Sequence, residues 1–177
     1  MTHESDFSSR KRKGKEGEAF VDRLLQEVYS YRLVKLAEVS DYQKKGVTRL
    51  LVDVSEIQKY QRISIDRLLF DEDGSQKTFE IKTDYRALET TNLFFEIERQ
   101  GVPTWGMKSQ ADYFVFLIPD RELLFVEPCK LRLLAWNLRT KLQEKVVGET
   151  HTVGLPIPIK TVQDKVASIR LPLRLKL

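Results

Sequence analysis

One cysteine and two histidines are all the thiol and imidazole that this 177-residue chain carries. The single Cys129 excludes an internal disulfide framework and suits a reducing compartment. His3 and His151 are too distant in sequence to read as a zinc cluster. No apolar run is long enough to span a bilayer, and Met1 to Asp6 contains no apolar signal core. No internal repeat is present either. A soluble, cytoplasmic protein without a membrane partner is therefore expected.

What is present is 41% hydrophobic and 32% charged, the balance of a globular chain long enough to bury a real core. A net charge of +4 is compatible with a nucleic-acid partner and does not require one. The stretch that most needs explaining is Phe79-Glu80-Ile81-Lys82-Thr83-Asp84. As a strand it sends Phe79, Ile81 and Thr83 to one face, and Glu80 and Lys82 to the other. Upstream, Arg62 to Phe70 is also strand-like, and Asp71-Glu72-Asp73-Gly74-Ser75 has the composition of a hairpin turn. Asp66 and Glu80 stand equally far from Asp73, so a hairpin centred there sets them across from each other, roughly 4.5–5.5 Å apart at Cβ. Two opposed carboxylates repel unless a cation is shared, and hard oxygen donors suit magnesium, with manganese as a substitute. The plainer alternative is an exposed hairpin with solvated charges.

Residues 1–14 read as a disordered basic arm that ends in Arg10-Lys11-Arg12-Lys13, either a solvated tail or a contact to phosphates. Residues 15–29 read as a helix on the stripe Phe20, Val21, Leu24, Leu25 and Val28. Glu18 borders that stripe, either as a first-turn acid favourable to the helix dipole or as a reach into a site on the sheet. A short strand is expected over 32–36, a helix over 47–60, and strands over 93–97, 112–118 and 122–127. Residues 100–109 form a loop whose Trp105 either caps the core or offers a face for stacking. Pro128 opens a helix carrying Leu131, Leu134, Ala135, Leu138, Leu142 and Val146. The alternation from Ile169 to Leu177 reads as a half-buried edge strand with a basic outer face.

In order, Glu18 on a helix, Ile65-Asp66 in one hairpin arm and Glu80-Ile81-Lys82 in the other resemble the PD-(D/E)XK nuclease superfamily. Thr91 to Glu96 and Lys108 to Tyr113 add to the likeness. The resemblance spans about residues 15–127 as an order of elements and implies an α/β, restriction-endonuclease-like core, a central mixed β-sheet flanked by helices. Residues 128–177 complete the same domain. Ile65 replaces the motif's proline. After Gln43-Lys44-Lys45-Gly46-Val47 the related sequences often place the aspartate, and here Thr48 follows. Either 47–64 is an insertion and Asp66 is the acid, or Thr48 holds the position and the acid is lost; Asp53 is a third candidate.

The resemblance implies a magnesium-dependent nuclease acting on phosphodiester bonds, with DNA as the expected partner and homodimers common in the fold. Asp66 and Glu80 would hold the metal, Lys82 would position the nucleophile, and Glu18 would act from the helix. Arg10, Lys11, Arg12, Lys13, Gln43 and Lys108 are expected nucleic-acid contacts, and Asn92 and Glu96, like Gln43, are candidates only to brace the ligands or touch substrate. The alternative is a non-catalytic nucleic-acid-binding module or assembly subunit on the same fold. A Cys/His hydrolase built on Cys129 lacks any Gly-rich elbow.

Overall fold

The structure is a computed structural model. It describes residues 3–29, 32–35, 59–60, 62–70, 75–147 and 151–173, with side chains for residues 12–26 and from residue 59 onward. The expected turn at 71–74 and most of the expected 47–60 helix lie outside the described residues, as do Gln43, Thr48 and Asp53.

Helix α1 runs His3–Tyr29, so the stretch expected to be an arm is helical almost from its start. The physical reason is compositional. Lys, Arg and Glu are good helix formers, and Arg12 pairs with Glu16 one turn on, at 3.5 Å. Strands β1 (Arg32–Lys35), β2 (Arg67–Phe70) and β3 (Gln76–Thr83) follow. Then come α2 (Ala87–Thr90), β4 (Asn92–Arg99), β5 (Val102–Pro103) and α3 (Trp105–Lys108). The chain continues through β6 (Tyr113–Ile118), β7 (Glu122–Val126), α4 (Pro128–Leu138), β8 (Lys145–Val147), β9 (Thr152–Pro158), α5 (Ile159–Lys165) and β10 (Ala167–Pro172).

Six strands form a central mixed sheet in the order β1-β2-β3-β6-β7-β10, and β5-β4-β9-β8 form a second sheet. Within the central sheet β3 and β6 are parallel and the other pairs antiparallel. A parallel pair needs a long crossover, and α2, β4, β5 and α3 supply it. The β2–β3 ladder pairs Arg67 with Phe79, Leu68 with Thr78, Leu69 with Lys77 and Phe70 with Gln76, the register of a hairpin centred on position 73.

Each face of the central sheet is covered. On one, Val21 and Leu25 of α1 pack with Phe79, Ile81, Val115, Leu117 and Phe125. On the other, Phe114, Phe116, Leu124 and Val126 meet Leu93, Phe95, Leu155 and Ile157 of the second sheet and Leu131 of α4. Burial on both sides explains why 113–118 reads as an unbroken apolar run rather than an alternating one. Trp105 belongs to this core, edge-on to Phe95 at 5.8 Å and to Phe114 at 5.2 Å between ring centroids. Such ring pairs add roughly 0.5–1.5 kcal/mol beyond their burial.

Three further expectations need correction. The strand expected over 62–70 begins only at Arg67, because the Ile63 and Ile65 amides fold back onto the Tyr60 carbonyl as a turn. The helix expected to carry Leu142 and Val146 stops at Leu138, and Val146 stands in β8. The loop expected at 100–109 contains a two-residue strand and a helical turn. The edge strand is present as β10, where Arg170 donates to the buried Glu122 carboxylate at 2.5 Å. Among the described residues no helix is long and apolar enough to cross a membrane.

The approach of α1 to β3 leaves no room for a side chain at Gly17, where a Cβ would overlap the Thr83 side chain. Gly17→Ala is expected to destabilise the protein by about 1–3 kcal/mol even though alanine is the better helix former. Urea unfolding checks this, and adding Thr83→Ala to the variant should restore part of the loss, because the Cβ at position 83 still lies 2.9 Å from the new one.

Candidate active site

Asp66, Glu80 and Lys82 meet at the open end of the antiparallel β2–β3 hairpin, Glu80 and Lys82 on β3 and Asp66 just before β2. Asp66 stands just outside the β2–β3 ladder, its amide donating to the Phe79 carbonyl at 2.8 Å. Its Oδ2 accepts the Ile81 amide at 2.9 Å, so the side chain is braced against the strand carrying Glu80. The turn before it is fixed from behind, where Ser109 Oγ donates to the Ser64 carbonyl at 2.5 Å and the Gln110 amide to that of Ile63. Ser64 adopts φ 54°, a left-handed conformation that a serine holds only when its surroundings impose it.

Glu80 is 3% exposed and pairs with Phe114 across the parallel ladder, on the face that looks toward the second sheet. Its Oε1 lies 2.7 Å from Lys82 Nζ, while its Oε2 is buried with no hydrogen-bond partner among the described residues. Burial pushes the Glu80 carboxyl up to about 7; Lys82 opposes that rise and the Asp66 carboxylate adds to it. Burial pulls Lys82 down, but the carboxylates of Glu80, Asp66 and Glu96 outweigh it and hold the ammonium above its ordinary range. Lys82 also lies over the Trp105 ring, 5.1 Å from its centroid.

Trp105 is placed by a clamp that the sequence did not announce. Arg132 of α4 donates to the Gly106 carbonyl at 2.8 Å and to the Ser109 carbonyl at 2.5 Å, tying the Trp105 turn to the helix behind it. Gly106 sits so close to the Glu96 carbonyl that a Cβ would overlap it. Arg132 carried no pattern signal, since an arginine on an amphipathic helix reads as solvated.

Two clefts flank Lys82 and share Lys82, Glu96 and Trp105. The larger, about 620 Å³, is bordered by Lys13, Arg86, Asn92, Phe94 and Lys145, and the smaller, about 370 Å³, by Glu80, Arg99, Thr104 and Lys108.

Glu18 does not join the carboxylate pair. Its Oε2 accepts Arg67 Nη2 at 3.0 Å, and Asp22 binds the same guanidinium at 2.7 Å. Arg67 in turn donates to the Asp66 carbonyl at 3.0 Å, so this arginine links Glu18 to the Asp66 backbone. The α1 face that bears Val21 and Leu25 lies against Ile81, opposite the side taken by Glu80. Of the other expected contacts, Lys13 and Lys108 line the clefts and Arg12 is exposed beside Glu16. The side chains of Arg10 and Lys11 lie outside the described residues. Asn92 borders the larger cleft while donating to the Thr90 carbonyl at 2.7 Å. Cys129 is exposed, and the His3 side chain lies outside the described residues.

Among the described residues no three acidic, histidine or cysteine side chains gather as a metal cluster; Asp66 and Glu80 are the two carboxylates of this site that could hold a cation. That pair fits a hard divalent cation on two counts. Both are carboxylates, and the buried Glu80 Oε2 has no partner among the described residues. Searches against protein-family models, curated proteins and solved structures find no match to this chain.

Proposed function

We propose that this protein is a divalent-cation-dependent nuclease of the PD-(D/E)XK type, on a restriction-endonuclease-like core, that hydrolyses phosphodiester bonds in DNA. The observation behind this reading is the buried Glu80 carboxyl beside Asp66, with one oxygen unpartnered and the other paired to Lys82. A buried acid held near 7 by burial and by a second carboxylate is a costly arrangement for a protein that makes no use of it.

Asp66 and Glu80 would hold the cation. When bound, it supplies charge that neutralises the phosphate and acidifies water. Lys82 borders both clefts, so its ammonium meets a phosphate lying across them and offsets the charge that develops as the bond breaks. Asp66 is held in register by the Ile81 amide, and Glu18 and Asp22 contribute by fixing Arg67 on the Asp66 backbone.

The purified protein with magnesium or manganese is expected to nick supercoiled plasmid, and chelation should stop it. Asp66→Asn keeps an oxygen for the Ile81 amide, so it should fold and fail to cut. A non-catalytic nucleic-acid-binding module is favoured by one observation, that Glu18 is spent on Arg67 and leaves two carboxylates. Magnesium separates the two readings: the nuclease should melt at higher temperature as magnesium is added, and Asp66→Asn should not. A wild-type melting temperature indifferent to magnesium, with no cleavage of any DNA, rules the nuclease out.

A further inference from the structure

The clefts around Lys82 constrain the shape of what reaches it. Glu80 is 3% exposed and the Lys82 side chain 33%, so the pair lies on the floor of a recess rather than on a ridge. Readers of intact duplex usually project a helix or a ribbon into a groove of the DNA. A recess asks the opposite of its ligand. The strand must come down to it, and a strand still paired along its length is held away by its partner unless the bases separate.

The larger cleft has the dimensions and lining for such a strand. At about 620 Å³ it falls within the roughly 300–1,000 Å³ that encloses a small ligand, the scale of one or two nucleotides. Phe94 projects from β4 on the side away from the core residues Leu93 and Phe95. Its ring is backed by Gly154, where a Cβ would come within 2.5 Å of Cζ, so the ring is a fixed platform. Cations stand around it: Arg86 at the start of α2, Lys145 on β8, and Lys13 on α1, whose ammonium is held over the Tyr85 ring at 5.5 Å. The acids of this cleft are already engaged. Asp84 accepts the Ala87 and Phe94 amides at 3.0 and 3.2 Å, and Glu96 sits 3.7 Å from Arg99. An aromatic platform within a cationic wall is what unpaired strands use, with bases stacked and phosphates on lysine and arginine.

We infer that the clefts flanking Lys82 bind a single, unpaired DNA strand, with its backbone crossing Lys82 and a base stacked on Phe94 in the larger cleft. This inference rests on the phosphodiester reading and narrows its substrate to single-stranded, flapped or frayed DNA. The strand would enter past Lys13 and Lys145 and leave past Lys108.

Binding in the absence of metal tests the inference apart from catalysis. With full-length protein in chelator, a fluorescent eight-nucleotide oligothymidine and a labelled hairpin with an eight-base-pair blunt stem are titrated by anisotropy. The single strand is expected to bind at least about tenfold more tightly than the stem, and Phe94→Ala to weaken it by about tenfold or more. Phe94→Tyr should retain binding, and the melting temperature of each variant shows that it folds. The stem binding as tightly as the single strand overturns the inference, as does a folded Phe94→Ala with unchanged affinity. If the oligothymidine binds as expected but is never cut with magnesium, the inference stands and the nuclease reading fails. If plasmid and stem are cut with no single-strand preference, the nuclease reading stands and the inference fails.

Discussion

Glu80→Gln protein should melt about 5–10 °C above the parent at pH 8 and close to it at pH 4.5, while lacking the cleavage activity proposed for the parent. The cause is the position of Glu80. In the unfolded chain its carboxyl titrates at an ordinary 4.5, and in the fold burial raises it to about 7. Between those values the folded state holds a proton that the unfolded state has released. Stability therefore falls as pH rises across the window, by about 1.4 kcal/mol per unit, and levels off above 7. The accumulated cost is about 3 kcal/mol, and glutamine does not incur it because it never ionises. Glutamine also keeps an oxygen for Lys82 and offers Asp66 a donor in place of a repelling charge. Thermal melts of both proteins from pH 4.5 to pH 8.5 check this. A melting difference that does not change with pH would show that Glu80 titrates normally. Greater stability together with lost activity is the expected signature of an acid kept for chemistry.

Lys82→Ala should slow cleavage by about 10²–10³-fold, well beyond the loss of affinity for DNA measured in chelator, since the ammonium acts on charge that develops as well as on the bound phosphate. A second effect follows from its neighbour. Lys82 is the attraction that restrains the rise of Glu80, so its removal should move that carboxyl further up. The residual activity should then need a higher pH than the parent's, and a pH–rate profile reads that shift directly. Lys82→Arg keeps the charge on a broader planar head beside the Trp105 ring and should recover only part of the rate. Cleavage by Lys82→Ala at the parental rate would remove Lys82 from the chemistry altogether.

The hairpin was legible because two local periodicities agreed. Parity separated Glu80 and Lys82 from Phe79 and Ile81, and equal distance from Asp73 set the register that the β2–β3 ladder follows. The central sheet's apolar strands were legible for a similar reason, since burial on both faces leaves little else to read. The fate of Glu18 was not legible. Its partner Arg67 lies 49 residues on, and nothing near Glu18 in the chain announces a buried arginine. Asp22 was hidden in the same way, a charge inside an apolar stripe whose compensation is remote. The second sheet was missed because Pro156 and Pro158 argue against a strand. Both prolines fall past the end of β8, which pairs only with 152–154, so the missing amides interrupt no ladder on that side.

The walls of the larger cleft come from distant parts of the sequence, Lys13 near the beginning and Lys145 and Pro156 toward the end. On a ribosome the chain emerges from its N-terminus, and the hairpin bearing Asp66, Glu80 and Lys82 can pair long before β8 and β9 exist. The cleft is complete only once Pro156 has cleared the exit tunnel. A nascent chain thus carries Asp66, Glu80 and Lys82 before it has the Lys145 and Pro156 side of the cleft, so the hairpin precedes the wall that faces it.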